Sequence, residues 1–191
     1  MKREKTPISI KPWHILKSKL VFDNRWAKIR LDECELPNGQ VVPNYYYWEG
    51  GDFAQVFALT TANEVILTRQ YKHGVKEIVT ELPAGLIDSN ETSIAAAKRE
   101  LREETGYTAN DWISLGQLNV SSAKATTRAS AFLATNVEKN ASPALDSTEE
   151  IEVFSTTIDK LLELISNGSV NDANSVATTL LALRYLQLKI Y

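Results

Sequence analysis

Thiol and imidazole chemistry are almost absent from this chain: its 191 residues include a single cysteine, Cys34, and two histidines, His14 and His73. A lone cysteine excludes an internal disulfide, and so few soft ligands exclude a zinc site of the usual Cys/His composition. Cys34 reads as a small strand residue rather than a nucleophile, since no histidine stands near it in the sequence. A resident metal ion would therefore have to be held by oxygen. An excess of one charge is also missing, with 21 basic against 24 acidic side chains and a net charge of -3. This removes the basic surplus that draws a protein to nucleic acid or to anionic lipid. No apolar run approaches the length of a membrane span, and residues 6–19, behind the basic start Met1-Lys2-Arg3-Glu4-Lys5, hold no continuous apolar stretch. The expectation is a cytoplasmic protein with one globular domain and a small appendage.

What is present falls into two regimes. Between Leu20 and Thr68, short runs of Val, Ile, Phe, Tyr and Trp alternate with turn residues, which predicts strands at Leu20–Asp23, Trp26–Asp32, Val41–Trp48, Phe53–Thr60 and Val65–Gln70. Pro37-Asn38-Gly39-Gln40 reads as a hairpin turn, and Gly50-Gly51 as a joint between a ribbon, residues 1–50, and a main domain, residues 51–191. Tyr45 and Tyr47 share one strand face and Tyr46 and Trp48 the other, which predicts burial on both. From Thr92 to Thr105 the period changes. Ile94, Ala97 and Leu101 line one face of a helix that Thr92 caps at its start and Gly106 at its end. Strands are expected again at Trp112–Val120, Ala129–Thr135 and Ile151–Thr156. Two helices then close the chain, Ile158–Ser166 and Asn174–Lys189, the second with Val176, Leu180 and Leu183 on its apolar face. Strands followed by alternating strands and helices predict an α/β fold, a mixed sheet covered by helices.

The chemistry concentrates at the end of the Thr92–Thr105 helix. Glu100, Glu103 and Glu104, at i, i+3 and i+4, put three carboxylates within one turn. They repel one another and face the negative end of the helix dipole, penalties of about 0.2–1 kcal/mol each. Two readings account for their tolerance: a face salt-bridged by Arg99 and Arg102, or a site for a hard divalent cation, Mg²⁺ or Mn²⁺, completed by phosphate oxygens.

The surrounding pattern bears on the choice. Gly85, five residues, Glu91, seven residues, and then Arg99-Glu100-Leu101-Arg102-Glu103-Glu104-Thr105-Gly106-Tyr107 resembles the signature box of the Nudix hydrolase family, Gly-x5-Glu-x7-Arg-Glu-U-x-Glu-Glu-x-Gly-U with U a bulky apolar residue. Every fixed position matches, and only the last U is unusual, being Tyr107. Arg69-Gln70-Tyr71-Lys72 followed by Glu81-Leu82-Pro83-Ala84-Gly85-Leu86-Ile87 resembles the ADP-ribose pyrophosphatase branch, which usually has arginine where Lys72 stands. Lysine keeps the charge and loses the bidentate fork.

The resemblance implies a Nudix-type α/β/α sandwich with an N-terminal antiparallel β ribbon that builds a homodimer. It also implies cation-dependent cleavage of the pyrophosphate of a nucleoside diphosphate sugar. ADP-ribose, cut to AMP and ribose 5-phosphate, leads as substrate, with GDP-mannose or a dinucleotide next. Glu100 and Glu104 would be the principal ligands of Mg²⁺ or Mn²⁺, joined by the carbonyl of Ala84, with Glu103 a further ligand or a water-orienting base. Arg99 would orient the carboxylates, while Gly85, Glu91 and Gly106 would shape the box. A glutamate from a later loop would assist as base or ligand, Glu149 first and Glu150 second. Gln70, Lys72, Lys124 and Arg128 are the expected substrate contacts. The alternative is a non-catalytic module of the same fold that senses a nucleotide.

Overall fold

The computed structural model describes residues 10–187. They form two compact units. One holds the described residues up to Gly50 together with Ser121–Thr126, and the other holds Gly51–Val120 together with the described residues from Thr127 onward.

In the first unit, β1 (His14–Asn24), β2 (Ala27–Glu35) and β3 (Val41–Trp48) make an antiparallel sheet in that order. The Asn24 side chain shapes the first turn by accepting from the Trp26 and Ala27 amides, each at 2.8 Å. Gly39, at φ 82°, turns the second hairpin at the place the sequence predicts. β1 begins at His14 rather than Leu20. All its residues but Leu20 are exposed, so no inward and outward alternation announced it. Ser121–Thr126 lies along β3: the Tyr45 hydroxyl donates to the Ala123 carbonyl at 2.5 Å, and the Trp48 amide donates to the Lys124 carbonyl at 2.7 Å. This cover explains why Tyr45 and Tyr47 are half-buried while Tyr46 and Trp48 stay exposed, which corrects the expectation of burial on both faces.

The second unit is built on β4 (Phe53–Thr60), β5 (Glu64–Lys72), β6 (Glu77–Glu81), β7 (Ala84–Leu86), α1 (Ser93–Thr105), β8 (Tyr107–Thr108), β9 (Asp111–Asn119), β10 (Arg128–Lys139), β11 (Ile151–Thr157), α2 (Ile158–Ser166) and α3 (Ala173–Tyr185). β10 runs parallel to β4, and the other pairings are antiparallel. The sheet is therefore mixed, and strand alternation sorts its side chains into two cores. Ala54, Val56, Ala58, Ile66, Phe132 and Ala134 pack with Ala96, Ala97 and Leu101 of α1. Phe57, Leu59, Val65, Leu67 and Leu133 pack on the other face with Leu161 of α2 and Leu183 of α3. This is the expected α/β/α sandwich.

Helix α1 has the predicted caps: Thr92 Oγ1 accepts from the Ala95 amide at 3.3 Å, and Gly106, at φ 77°, donates to the Arg102 carbonyl at 2.8 Å. Helix α3 departs from its predicted face. Leu180 is 53% exposed, and the inward stripe is Ser175, Thr178, Thr179, Ala182 and Leu183. Among the described residues this helix ends at Tyr185, and the last part of its expected span, to Lys189, lies outside them.

Candidate active site

Two ends of structure meet at the acidic turn of α1. One is the short segment Leu82–Gly85, which leaves β6 and enters β7; the other is the last turn of the helix. The Ala84 amide donates to Glu104 Oε2 at 3.0 Å, which anchors that carboxylate from the segment side. Glu104 is only 5% exposed. Burial pushes its carboxyl up to about 8, more than the Ala84 amide and the nearby Lys72 pull it down, and the charges of Glu100 and Glu81 push the same way as burial. The Glu100 carboxyl is also raised, first by desolvation, against the opposing pull of Arg99. Gly85 is where the backbone comes closest. A Cβ built there would overlap the Glu100 carboxyl group, so any side chain larger than glycine's hydrogen displaces that ligand candidate.

Arg99 is the hub of the acidic side chains. Its Nη2 and Nε reach the two Glu91 oxygens at 2.8 and 3.0 Å, and its Nη1 reaches Glu100 at 2.7 Å and Glu103 at 3.3 Å. Nη2 also donates to the Leu86 carbonyl at 2.8 Å, tying the helix to the end of β7. The fork holds the Glu91 carboxyl below the usual range and the guanidinium well above its own. Glu91 in turn accepts from the Asp88 amide at 3.3 Å, so Arg99 and Glu91 brace the loop before the helix. Glu103 pairs as well with Arg102, at 3.2 Å. Among the described residues no three acidic, histidine or cysteine side chains converge as a ready-made metal cluster. The reason is visible in these contacts, because Arg99 rather than a common centre draws in Glu91, Glu100 and Glu103.

The remaining predicted residues divide. Gln70 and Lys72 are both tied to Glu81, Gln70 Nε2 at 3.0 Å and Lys72 Nζ at 2.8 Å, and Lys72 is near enough to lower the Glu104 carboxyl. Glu81 was assigned no role from the sequence, although it stands in the quoted Glu81-Leu82-Pro83 run; its effect on Glu104 marks it as part of the same electrostatic group. Lys72 also lines a cavity of about 370 Å³ with Val79, Glu81 and Asp172, which leaves its ammonium reachable by an anionic ligand. Glu149 sits in a turn in which its carboxylate accepts from the Asp146 amide at 2.9 Å, and it is near enough to raise the Glu100 carboxyl. Glu150 is exposed. Arg128 opens β10, and its amide donates to Asp52 at 2.8 Å. Lys124 belongs to the first unit, its ammonium 5.3 Å from the centre of the Tyr45 ring.

The donor set suits a hard divalent cation. Carboxylate oxygens predominate, two of the carboxylates are destabilised by burial as anions, and a glycine without Cβ lets backbone approach. Arg99 takes only Oε1 of Glu100, at 2.7 Å, which leaves Oε2 for such an ion.

Comparison with known proteins bears on the family. The model of the nucleoside diphosphate sugar hydrolase N-terminal domain matches residues 13–48, and that of the NUDIX domain matches residues 53–177. An ADP-ribose pyrophosphatase of Bacillus subtilis (strain 168) is 31% identical over 88% of this chain and 89% of its own length. A methanol dehydrogenase activator of Bacillus methanolicus is 30% identical over 91% and 92%. A GDP-mannose pyrophosphatase of Klebsiella pneumoniae is 27% identical, with 91% of each chain covered. A solved structure of an ADP compounds hydrolase superposes with a TM-score of 0.83 over 94% of this chain and 96% of that one, at 23% identity, and shares the fold. With the domain model spanning most of the chain and Arg99, Glu100, Glu103 and Glu104 of the box on α1, the chain is a member of the Nudix hydrolase family.

Proposed function

We propose that the chain is a divalent-cation-dependent pyrophosphatase of nucleoside diphosphate sugars, with ADP-ribose as its leading substrate and AMP and ribose 5-phosphate as products. The observation that carries this reading is Glu104, a carboxylate held in place by the Ala84 amide yet poorly stabilised as an anion, one turn from Glu100, whose own carboxyl lies against the Gly85 backbone. The similarity to the ADP-ribose pyrophosphatase of Bacillus subtilis supports the choice of ADP-ribose. The GDP-mannose pyrophosphatase supports GDP-mannose as the second candidate.

Glu100, Glu104 and Glu103, with the Ala84 carbonyl, would hold Mg²⁺ or Mn²⁺. Such an ion neutralises pyrophosphate oxygens and lowers the proton affinity of a water molecule. The protein's own groups have distinct tasks in this scheme. Glu149, or Glu150 beside it, takes the proton of the attacking water on a carboxylate oxygen. Arg99 and Glu91 fix the height of the helix against the Leu86 carbonyl, and Arg99 sets the direction of the Glu100 and Glu103 carboxylates. Gln70, Lys72, Lys124 and Arg128 bind the charged and hydroxylated parts of the substrate. Hydrolysis would be measured with Mg²⁺ or Mn²⁺ on ADP-ribose, GDP-mannose, dinucleoside polyphosphates, NADH and nucleoside triphosphates. We expect cleavage of a sugar-linked diphosphate and a loss of about two to three orders of magnitude in Glu104→Gln. No cleavage by the parent would favour the nucleotide-sensing alternative, and equal rates would remove Glu104 from the mechanism.

The N-terminal ribbon, residues 1–50, serves in this reading as a dimerisation subdomain of the hydrolase that follows. A cytoplasmic location goes with it, resting on the composition; no helix among the described residues is long and apolar enough to cross a membrane.

A further inference from the structure

Helix α3 buries hydroxyl groups where its sequence offers leucines. Ser175 and Thr178 are 1% and 0% exposed, and both are bonded to Gln55 of β4, itself 1% exposed. Thr178 Oγ1 donates to Gln55 Oε1 at 3.0 Å, and Gln55 Nε2 donates to Ser175 Oγ at 3.1 Å. Ser175 Oγ accepts a second bond, at 3.0 Å, from the Leu82 amide. Leu82 lies in the gap between β6 and β7, so no strand partner is available to its N–H. A buried donor of this kind must find an acceptor, and the helix supplies one.

The same small network reaches the acidic turn along the backbone. Gln55 stands opposite Ala84 in the β4–β7 register, and the Val56 amide next to it donates to the Pro83 carbonyl at 2.9 Å. The segment Leu82–Gly85 is thus held at Leu82 by α3 and at Pro83 and Ala84 by β4. Ala84 then grips Glu104, and Gly85 lies against Glu100. A loose Leu82 would let Ala84 and Gly85 shift together, moving one partner of each carboxylate.

We propose that Ser175, ordered by Gln55 and Thr178, is a positioning residue for the acidic site: it fixes the Leu82–Gly85 segment against the last turn of α1 from the opposite face of the sheet. The proposal rests on the reading of Glu104 as a cation ligand. It predicts an effect on cation affinity and turnover with little effect on nucleotide affinity, because the Ser175 hydroxyl bonds only Gln55 and the Leu82 amide, and the bond from the Ser175 amide to the capping Asp172 survives loss of the hydroxyl.

The test uses the full chain and Mn²⁺ alone, followed by manganese electron paramagnetic resonance, together with hydrogen exchange of backbone amides and steady-state kinetics on ADP-ribose. In Ser175→Ala we expect faster exchange at Leu82 and Ala84, Mn²⁺ affinity and kcat each about tenfold lower, and KM for ADP-ribose within about twofold, the range seen when an outer partner of a metal ligand is lost. Leu183→Ala, which thins the same helix's apolar contact, should lower thermal stability while leaving Mn²⁺ affinity unchanged. If Ser175→Ala does not fold, Thr178→Val, one bond further out, should show the same direction at about two- to threefold. Parent Mn²⁺ affinity and kcat in a folded Ser175→Ala, or losses no different from those of Leu183→Ala, would overturn the proposal. Glu104→Gln separates the two levels. If it loses Mn²⁺ while Ser175→Ala keeps it, only the positioning role fails; if it binds Mn²⁺ like the parent, the cation reading fails and the proposal falls with it.

Discussion

At Glu104 burial and the charges of Glu100 and Glu81 oppose ionisation, while the Ala84 amide and Lys72 favour it. An unfolded glutamate titrates near about 4.3, whereas burial raises this one to about 8 in the fold. Between those values the folded chain binds the extra proton. The protonated side chain's contribution to stability is therefore complete below the unfolded value and is lost as pH rises through the folded one. Glu100, raised for the same first reason, adds in the same sense. Thermal melts in chelator should show Tm falling from about pH 5 to about pH 8.5. Saturating Mg²⁺ should flatten that slope, and Glu104→Gln should flatten it without Mg²⁺. A parent slope of the opposite sign would contradict the assignment. Most of this residue chemistry was legible in the sequence, because carboxylates at i, i+3 and i+4 must share one turn of any helix. Glu81 was not legible. Its influence depends on how β6 bends into the Leu82–Gly85 segment, and no spacing rule encodes that.

Two glycines of the box illustrate how differently one residue type acts at the level of elements. Gly106 ends α1 at φ 77°, and a Cβ there would collide with the Ala141 carbonyl, which belongs to rigid backbone. Gly85 faces instead the mobile end of the Glu100 side chain. Gly106→Ala should therefore cost stability, about 1–3 kcal/mol, through the left-handed conformation and the collision. Gly85→Ala should leave Tm within a few degrees of the parent and lower kcat by about tenfold or more, since the carboxyl must swing away. Melting curves and kinetics on the two variants check this; a reversal of the pattern would contradict the geometry. The caps of α1 could be read from Thr92 and Gly106 because side-chain chemistry sets them locally. The face of α3 could not. Its leucines satisfy a helical period, but the packed stripe is chosen by Gln55 and the Leu82 amide, partners more than ninety residues away. Strands β6 and β7 carry no sequence signal for a related reason: they are short, Pro83 separates them, and Gly85 offers β7 no side chain to alternate.

For the molecule as a whole, the first unit carries an unusual amount of exposed apolar surface. Ile15, Phe22, Trp26 (77% exposed), Val41 and Tyr46 all stand out from a three-stranded sheet. A soluble monomer rarely leaves such a set uncovered, which is the physical ground for the proposed homodimer. Light scattering after size exclusion should give twice the 21.3 kDa chain mass at micromolar concentration; a strict monomer would remove the ribbon's proposed role.

In the proposed function the acidic end of α1 holds a divalent ion in place of a proton. Calorimetric titration of Mn²⁺ into the metal-free protein at about pH 7, repeated in buffers of different ionisation enthalpy, measures this directly. With the Glu104 carboxyl pushed up to about 8, binding should release about one proton per site, and Glu104→Gln should bind far more weakly and release none. Binding of equal strength in the parent and the variant, or no binding in the parent, would contradict the claim.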